Sequence, residues 1–420
     1  VAPVDFARLY IRFDEIRDEI HMMQPVVMDE LLPMVQCAEL LAQKYDVVVT
    51  NPPYMGGSGM DAMLSGYVKK HYPDSKSDLF SCFIERGFQF ITARGYTSMI
   101  TIESWMFLSS FEKLRKSIVN THTIVNMVHM PYLGKGGTSL GINFGTAATI
   151  CSKRYCKDYN SQFDYICYYE TDDEGIPFAF PTVNERYKAA KASNFSKIPG
   201  APVAYWLSDK VFKLYEDSQT METFAHPKVG MQTSNNDKYL RLWFEVAYNE
   251  FNGSSLNLKW VKYLKGGAYR KWYGNLEYLL FYNKDKNYIL QQKNARVLDL
   301  DFLQKKKCTW TDLTSGSNSF RLAPDDTFYD ISGHCFFPNA DDQLWLLAYA
   351  NSVIFGILKN VFNSTFHCQV GDVAKIIVPI LDEIQKEPYF NTQALRLGAS
   401  ETRFHPNLLL HFICLYSALC

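Results

Sequence analysis

Several common signatures are missing from this sequence. It holds ten cysteines, yet no CxxC pair and no Cys/His group at zinc-ligand spacing. The scatter fits reduced thiols in a cytoplasmic setting rather than a disulfide framework. No stretch reads as a secretory leader. The longest apolar run near an end, Leu408–Cys420, is interrupted by His411 and is too short to cross a bilayer. Net charge is only −1 over 420 residues, which excludes a global polycation, so any contact with nucleic acid would have to be a local patch. No repeat or low-complexity tract is visible. The first 44 residues contain no glycine, so they cannot form a Gly-x-Gly phosphate turn. His122, His129, His226, His334 and His367 have no partner spacing, and core or surface roles are expected of them.

What is present is enough apolar chain, 47% of residues, for two cores of ordinary size. Apolar residues recur at helical spacing over Asp14–Tyr45, interrupted by Pro25 and Pro33. Tyr45–Thr50 (YDVVVT) reads as a buried parallel strand, and Tyr54–Gly66 as a Gly/Ser/Met-rich loop. An amphipathic helix is expected over Asp78–Ala93, strands over Ser98–Ile102, Thr123–Val128 and Gly145–Ser152, and a helix over Phe111–Val119. Such alternation means an α/β, Rossmann-like, doubly wound sheet, whose ligands bind at the carboxyl ends of its strands. The division expected is a helical lead-in (1–44), a sheet domain (45–155), a polar, turn-rich connection (156–204), a separate α+β domain (205–380) and an irregular tail (381–420). The chain starts at Val1 without an initiator Met and reads as a fragment.

The first strand is followed at once by Asn51-Pro52-Pro53-Tyr54. This pattern suits transfer of a methyl group to an exocyclic amine. Such an amine is a poor nucleophile because its lone pair is delocalised into the ring. Two acceptors on its two N–H bonds pull the nitrogen toward tetrahedral geometry. The Asn51 side-chain carbonyl can be one acceptor, and the backbone carbonyl of Pro52 the other. Each proline fixes φ and restricts its predecessor, so the loop is stiff and positions its groups at little entropic cost. Tyr54 offers a flat face to a base rotated out of the duplex. No carboxylate or histidine base is needed, since the methylated amine can lose its proton to water. The same tetrapeptide occurs in enzymes that methylate protein glutamine amides, so it leaves the substrate open.

More of the chain resembles one group, the adenine-specific DNA methyltransferases of the BREX phage-defence system (the PglX family). Tyr45–Gly57 resembles that family's central block, Ser77–Phe80 (SDLF) its next motif, and Gly95–Trp105 the strand after it. Gly230–Arg241, Lys259–Asn275 (KWVKYLKGGAYRKWYGN), Asn351-Ser352 and Gln369–Asp372 (QVGD) are similar to its later landmarks. The resemblance implies S-adenosyl-L-methionine as methyl donor, adjoining Asn51, and double-stranded DNA as substrate. Other phage-defence proteins are implied as partners. It also implies that residues 45–155 are the C-terminal part of a catalytic domain and that 205–380 is a target-recognition domain. Phe144, just before a late strand, is where related enzymes place an aromatic against the flipped base. Type IIG restriction–methylation enzymes share several of these features. The family's glycine-rich cofactor motif belongs upstream of the central loop, where this chain has none. A non-catalytic DNA-binding remnant is therefore a second reading, and part of a type IIG enzyme a third.

Residues 255–310 carry twelve Lys/Arg against four acids. Trp260, Tyr263, Tyr269, Trp272 and Tyr273 interleave with the first five bases, and Gly266-Gly267 would let backbone approach a phosphate. Cations for phosphates and planar groups for bases or sugars are what a DNA surface needs. The candidate contacts are Lys259, Lys262, Lys265, Arg270, Lys271 and Trp272.

Overall fold

The computed structural model describes residues 4–18, 23–130, 144–172, 176–180, 184–251, 259–282, 300–302, 305–314, 317–339, 342–363 and 367–380. The expected tail 381–420, and Lys284, Lys286, Lys293 and Arg296 of the basic segment, lie outside the described residues. Two compact units emerge, one from residues 1–105 and 110–193, the other from 106–109 and 194–420.

The first unit opens with the Phe6–Asp18 helix and, after a π-helical turn at Val27–Leu31, the Leu32–Ala42 helix. Pro33 cannot donate to the carbonyl one turn back. Placing it in the first turn of the second helix, behind a widened turn, avoids that lost bond. A mixed six-stranded sheet follows: β1 (Tyr45–Thr50), β2 (Ile91–Ile102), β3 (Thr123–Met130), β4 (Thr146–Ser152), β5 (Asn160–Tyr165) and β6 (Lys188–Lys191), in the order β1-β2-β4-β3-β5-β6. β1 runs parallel to β2 and β3 parallel to β5, while β4 is antiparallel to both neighbours.

Three expectations change here. β1 is parallel as expected but not buried. It has one strand neighbour, β2, and Val47 and Val49 are 57% and 71% exposed. A β-branched run is fully buried only when both edges and both faces are covered. The supposed connection contributes β5 and β6, which were illegible because β5 opens on three consecutive polar residues, Asn160-Ser161-Gln162, and β6 is Lys-Ala-Ala-Lys. The supposed loop Tyr54–Gly66 ends in a helix, Ala62–His71, whose first turn is capped by Asp61 accepting from Leu64 N at 2.7 Å. The Leu79–Phe90 helix sends Phe80, Ile84 and Phe88 into the core, whereas Phe83 stays 40% exposed.

The second unit is α+β. It contains β7 (Gln219–Thr220), β8 (Ala225–Lys228), β9 (Leu240–Leu242), β10 (Trp260–Leu264), β11 (Tyr278–Phe281), β12 (Lys307–Thr309), β13 (Arg321–Ala323), β14 (Phe328–Tyr329), β15 (Cys335–Pro338) and β16 (Ile377–Val378). They form the sheets β14-β10-β11-β9 and β13-β12-β15-β8 and the pair β16-β7. The Gln343–Ala350 and Val353–Phe362 helices are mostly buried. No single described helix is long and apolar enough to cross a membrane. The eight described cysteines are all unpaired with one another.

At the centre of this unit Asp330 is a buried carboxylate. It accepts from Tyr263 Oη at 2.6 Å and from Ser332 N at 2.8 Å, and lies 3.5 Å from Lys265 Nζ. Burial first, then the neighbouring Asp330 charge, raises the Tyr263 phenol well above its ordinary value, so it stays a donor. Asp330→Ala would strand these partners and is expected to cost about 3 kcal/mol or more. Urea unfolding checks it through a lowered midpoint at unchanged slope. A loss below about 1 kcal/mol would mean that the cluster is already hydrated.

Candidate active site

The Asn51–Tyr54 loop leaves the carboxyl end of β1, where α/β sheets bind ligands. Pro52 is buried, while Asn51 and Pro53 are exposed. The chain just beyond is stitched to Ser77–Phe80. Met55 N donates to Asp78 Oδ1 at 2.9 Å, Leu79 N to Met55 O at 3.1 Å, and Gly57 N to Ser77 O at 3.2 Å. Asp78 also caps the Leu79–Phe90 helix, accepting from Phe80 N at 3.3 Å. Its carboxylate therefore fixes the loop's exit and the helix start together.

Tyr54 is the pivot. Its ring stands edge-on to Phe144, with centroids 5.6 Å apart and planes at 90°, and to Phe80 at 6.2 Å. Its hydroxyl lies 3.0 Å from Asn51 Oδ1 and 3.1 Å from Ile100 O on β2. A phenol has one proton, so it donates to one of these acceptors at a time. Burial raises the Tyr54 pKa, which keeps that proton in place. Asn51, Pro52, Pro53, Tyr54 and Phe144 thus meet in one corner, although Phe144 lies far along the chain.

Behind Phe144 are two residues that sequence reasoning missed. His129 Nε2 lies 2.7 Å from Glu103 Oε2, and both side chains are almost fully buried. The register explains the meeting: Ile102 faces Thr146 across β2/β4, and His129 faces Ala147 across β3/β4. The signal was absent from spacing, since the two are 26 residues apart, Glu103 in the turn after β2 and His129 on β3.

The candidate contacts of the basic segment are already engaged. Lys259 lies 3.7 Å from Glu250, Lys262 3.1 Å from Asp326, Lys265 3.5 Å from Asp330 and Arg270 2.9 Å from Glu277. Lys271 Nζ donates to Asn351 O at 3.2 Å. Lys307 is fully buried, bonded to Asp325 O, and its pKa is lowered by desolvation. Three of the pairing acids, Glu250, Asp326 and Asp330, lie outside the counted window, so part of the charge excess counted along the chain is offset in the fold. The Gly266–Asn275 loop is rigidly built. Gly266, Gly267, Trp272, Gly274 and Asn275 all have positive φ, and the Asn275 amide donates to Gly266 O at 3.0 Å and Ala268 O at 2.9 Å. Trp272 exchanges backbone bonds with Phe320 O and Leu322 N, leaving Tyr269, Arg270 and Tyr273 exposed.

Other landmarks hold the fold. The Asn351 amide exchanges two bonds with the backbone of Phe320. Ser352 caps the Val353–Phe362 helix, and Asp372 accepts from buried Asn363. Among the described residues no group of three or more His, Cys, Asp or Glu is placed to hold a metal ion. The residues ahead of β1 contain no glycine and so offer no Gly-x-Gly turn for the charged end of a nucleoside-like cofactor.

Residues 12–134 match the Eco57I restriction-modification methylase family. The chain is 33% identical over 357 residues to the adenine-specific methyltransferase BrxX of Escherichia coli O9:H4 (strain HS), covering 83% of this chain and 29% of that protein. It is 31% identical over 373 residues to the adenine-specific methyltransferase PglX of Lacticaseibacillus casei (strain Zhang), covering 83% and 30%. The type IIL restriction-modification enzyme MmeI, solved in complex with DNA, matches 89% of this chain and 53% of its own at a TM-score of 0.56 and 11% identity, a likeness of fold. The chain spans about three tenths of the length of the curated relatives it matches. Over that portion the chain is a homologue of the adenine-specific methyltransferases BrxX and PglX.

Proposed function

We propose that this chain supplies the amine-holding face and the DNA-contacting unit of a site-specific DNA N6-adenine methyltransferase, one that marks host DNA in a BREX-type phage-defence system in the cytoplasm. The observation that carries the reading is the corner at the end of β1, where Tyr54 touches Asn51 Oδ1 and meets Phe144 edge-on. A flipped adenine entering this corner would place its ring against Tyr54 and Phe144. Asn51 Oδ1 and Pro52 O would accept the two N6–H bonds and aim the nitrogen lone pair outward. S-adenosyl-L-methionine supplies the methyl group when bound. This chain's own part is to hold the amine, exclude water from the ring faces and orient the reacting nitrogen. Methylation-sensitive sequencing of DNA exposed to a full-length enzyme tests the reading, and methyl groups found on protein glutamine instead would overturn it.

The second unit would hold the duplex through exposed cations beside aromatics. Neutralising Lys259, Lys262 and Arg270 together is expected to flatten the slope of log affinity against log salt by roughly two to three units. Neutralising Lys265 and Lys271, which are held by Asp330 and Asn351, is expected to leave the slope unchanged. Fluorescence anisotropy with a mixed-sequence duplex reads both. Equal slopes for the parent and the first triple variant would return the segment to an ordinary solvated face.

A further inference from the structure

We infer that Glu103 and His129 are positioning residues that hold Phe144 edge-on against Tyr54 in the wall of an aromatic slot. The inference rests on the reading of that slot as the adenine site. Glu103 begins the 3-10 turn directly after β2, and grips Gly145 at two points. Its backbone N donates to Gly145 O at 2.9 Å. Its carboxylate lies flat against the Gly145 Cα, so close that a Cβ there would stand 2.3 Å from Glu103 Cδ and Oε1. Gly145 follows Phe144 directly, so whatever fixes Gly145 fixes the base of the Phe144 side chain. Only glycine allows this approach, because any larger residue would push either the carboxylate or the Phe144 segment away.

The carboxylate is itself held. His129, 3% exposed, contacts Glu103 Oε2 at 2.7 Å and rests edge-on to the Tyr165 ring at 5.7 Å. Ile166 N donates to His129 O at 3.0 Å, tying β3 to the end of β5. A buried Glu–His pair adds little net stability, because desolvation offsets the attraction. Its effect is geometric. Three strand ends, of β2, β3 and β4, are locked in one register directly behind Phe144, and a ring that must meet a base at van der Waals distance cannot tolerate slack of about 1 Å.

The test uses the full chain and a single-stranded oligodeoxynucleotide carrying 2-aminopurine, an adenine analogue whose fluorescence is quenched on stacking against an aromatic ring. Anisotropy reports overall binding, and quenching of the bound probe reports capture in the slot. The parent is expected to quench, and Tyr54→Ala to abolish quenching. Glu103→Ala and Gly145→Ala are expected to weaken capture by about tenfold or more while anisotropy stays close to the parent's, with a lowered Tm because each disturbs the buried pair. Glu103→Gln, which still bonds to His129, should restore capture to within about threefold. If Tyr54→Ala abolishes quenching while Glu103→Ala and Gly145→Ala quench like the parent, the positioning role is overturned and the slot stands. If Glu103→Ala and Glu103→Gln lose Tm, anisotropy and quenching together, the pair merely supports the fold, and the inference is again overturned. A parent chain that binds the oligonucleotide without quenching, or does not bind it, overturns the slot reading and this inference with it.

Discussion

Asn51→Ala in a full-length methyltransferase carrying these residues is expected to lower kcat by roughly two to three orders of magnitude, the scale of removing one preorganised partner of a developing charge. DNA affinity should stay near the parent value, because Asn51 acts on the reacting nitrogen rather than on the duplex. Tyr54→Phe provides the contrast. It keeps the ring against Phe144 and Phe80 but removes the hydroxyl that reaches Asn51 Oδ1 and Ile100 O. One neutral hydrogen bond is worth about 1 kcal/mol, so this variant should lose no more than about tenfold. Single-turnover methyl transfer and DNA binding, measured separately, distinguish the two. Asn51→Ala within a factor of about ten of the parent would remove Asn51 from the chemistry.

The chain by itself is expected to take up no S-adenosyl-L-methionine at micromolar concentration and to turn over more slowly than about 1 per minute, where working enzymes reach 1 per second or more. Holding such a cofactor calls for a glycine turn against its charged end and an acidic residue on its ribose. Residues 1–44 contain no glycine, and their described part is helical, Phe6–Asp18 and Leu32–Ala42 among it. Calorimetry and labelled-methyl transfer to mixed-sequence DNA check this directly. Micromolar binding would show that other residues of this chain build the grip.

Much of the first unit could be read in advance because its signals are local. The β-branched run before Asn51 becomes β1, the apolar spacing after Asp78 becomes a helix, and Thr123–Met130 and Thr146–Ser152 become strands within a residue or two of expectation. What could not be read depends on neighbours. β6 has no apolar alternation and exists because β5 offers it an edge. The Glu103–His129 pair depends on strand order, which no spacing encodes. The charge of residues 255–310 misled for the same reason: a window along the chain leaves out Glu250, Asp326 and Asp330, which the fold sets beside its lysines. Phe144 was legible only through resemblance, yet the structure sets it against Tyr54.

Those pairs give the second unit built-in counter-ions. A phosphate that draws in Lys262 or Arg270 would compete with Asp326 or Glu277, so binding would be in part a partner exchange rather than wholly a gain of new attraction. If this unit holds DNA as proposed, exchange of this kind would make casual contact with arbitrary DNA shallow, because the released carboxylates lie close to the incoming phosphates and repel them. Residence on the wrong sequence would then be brief, and movement along the duplex quick. Only a site that offers further contacts, such as stacking on Tyr269 or Tyr273, would repay the displaced acids and hold the enzyme in place.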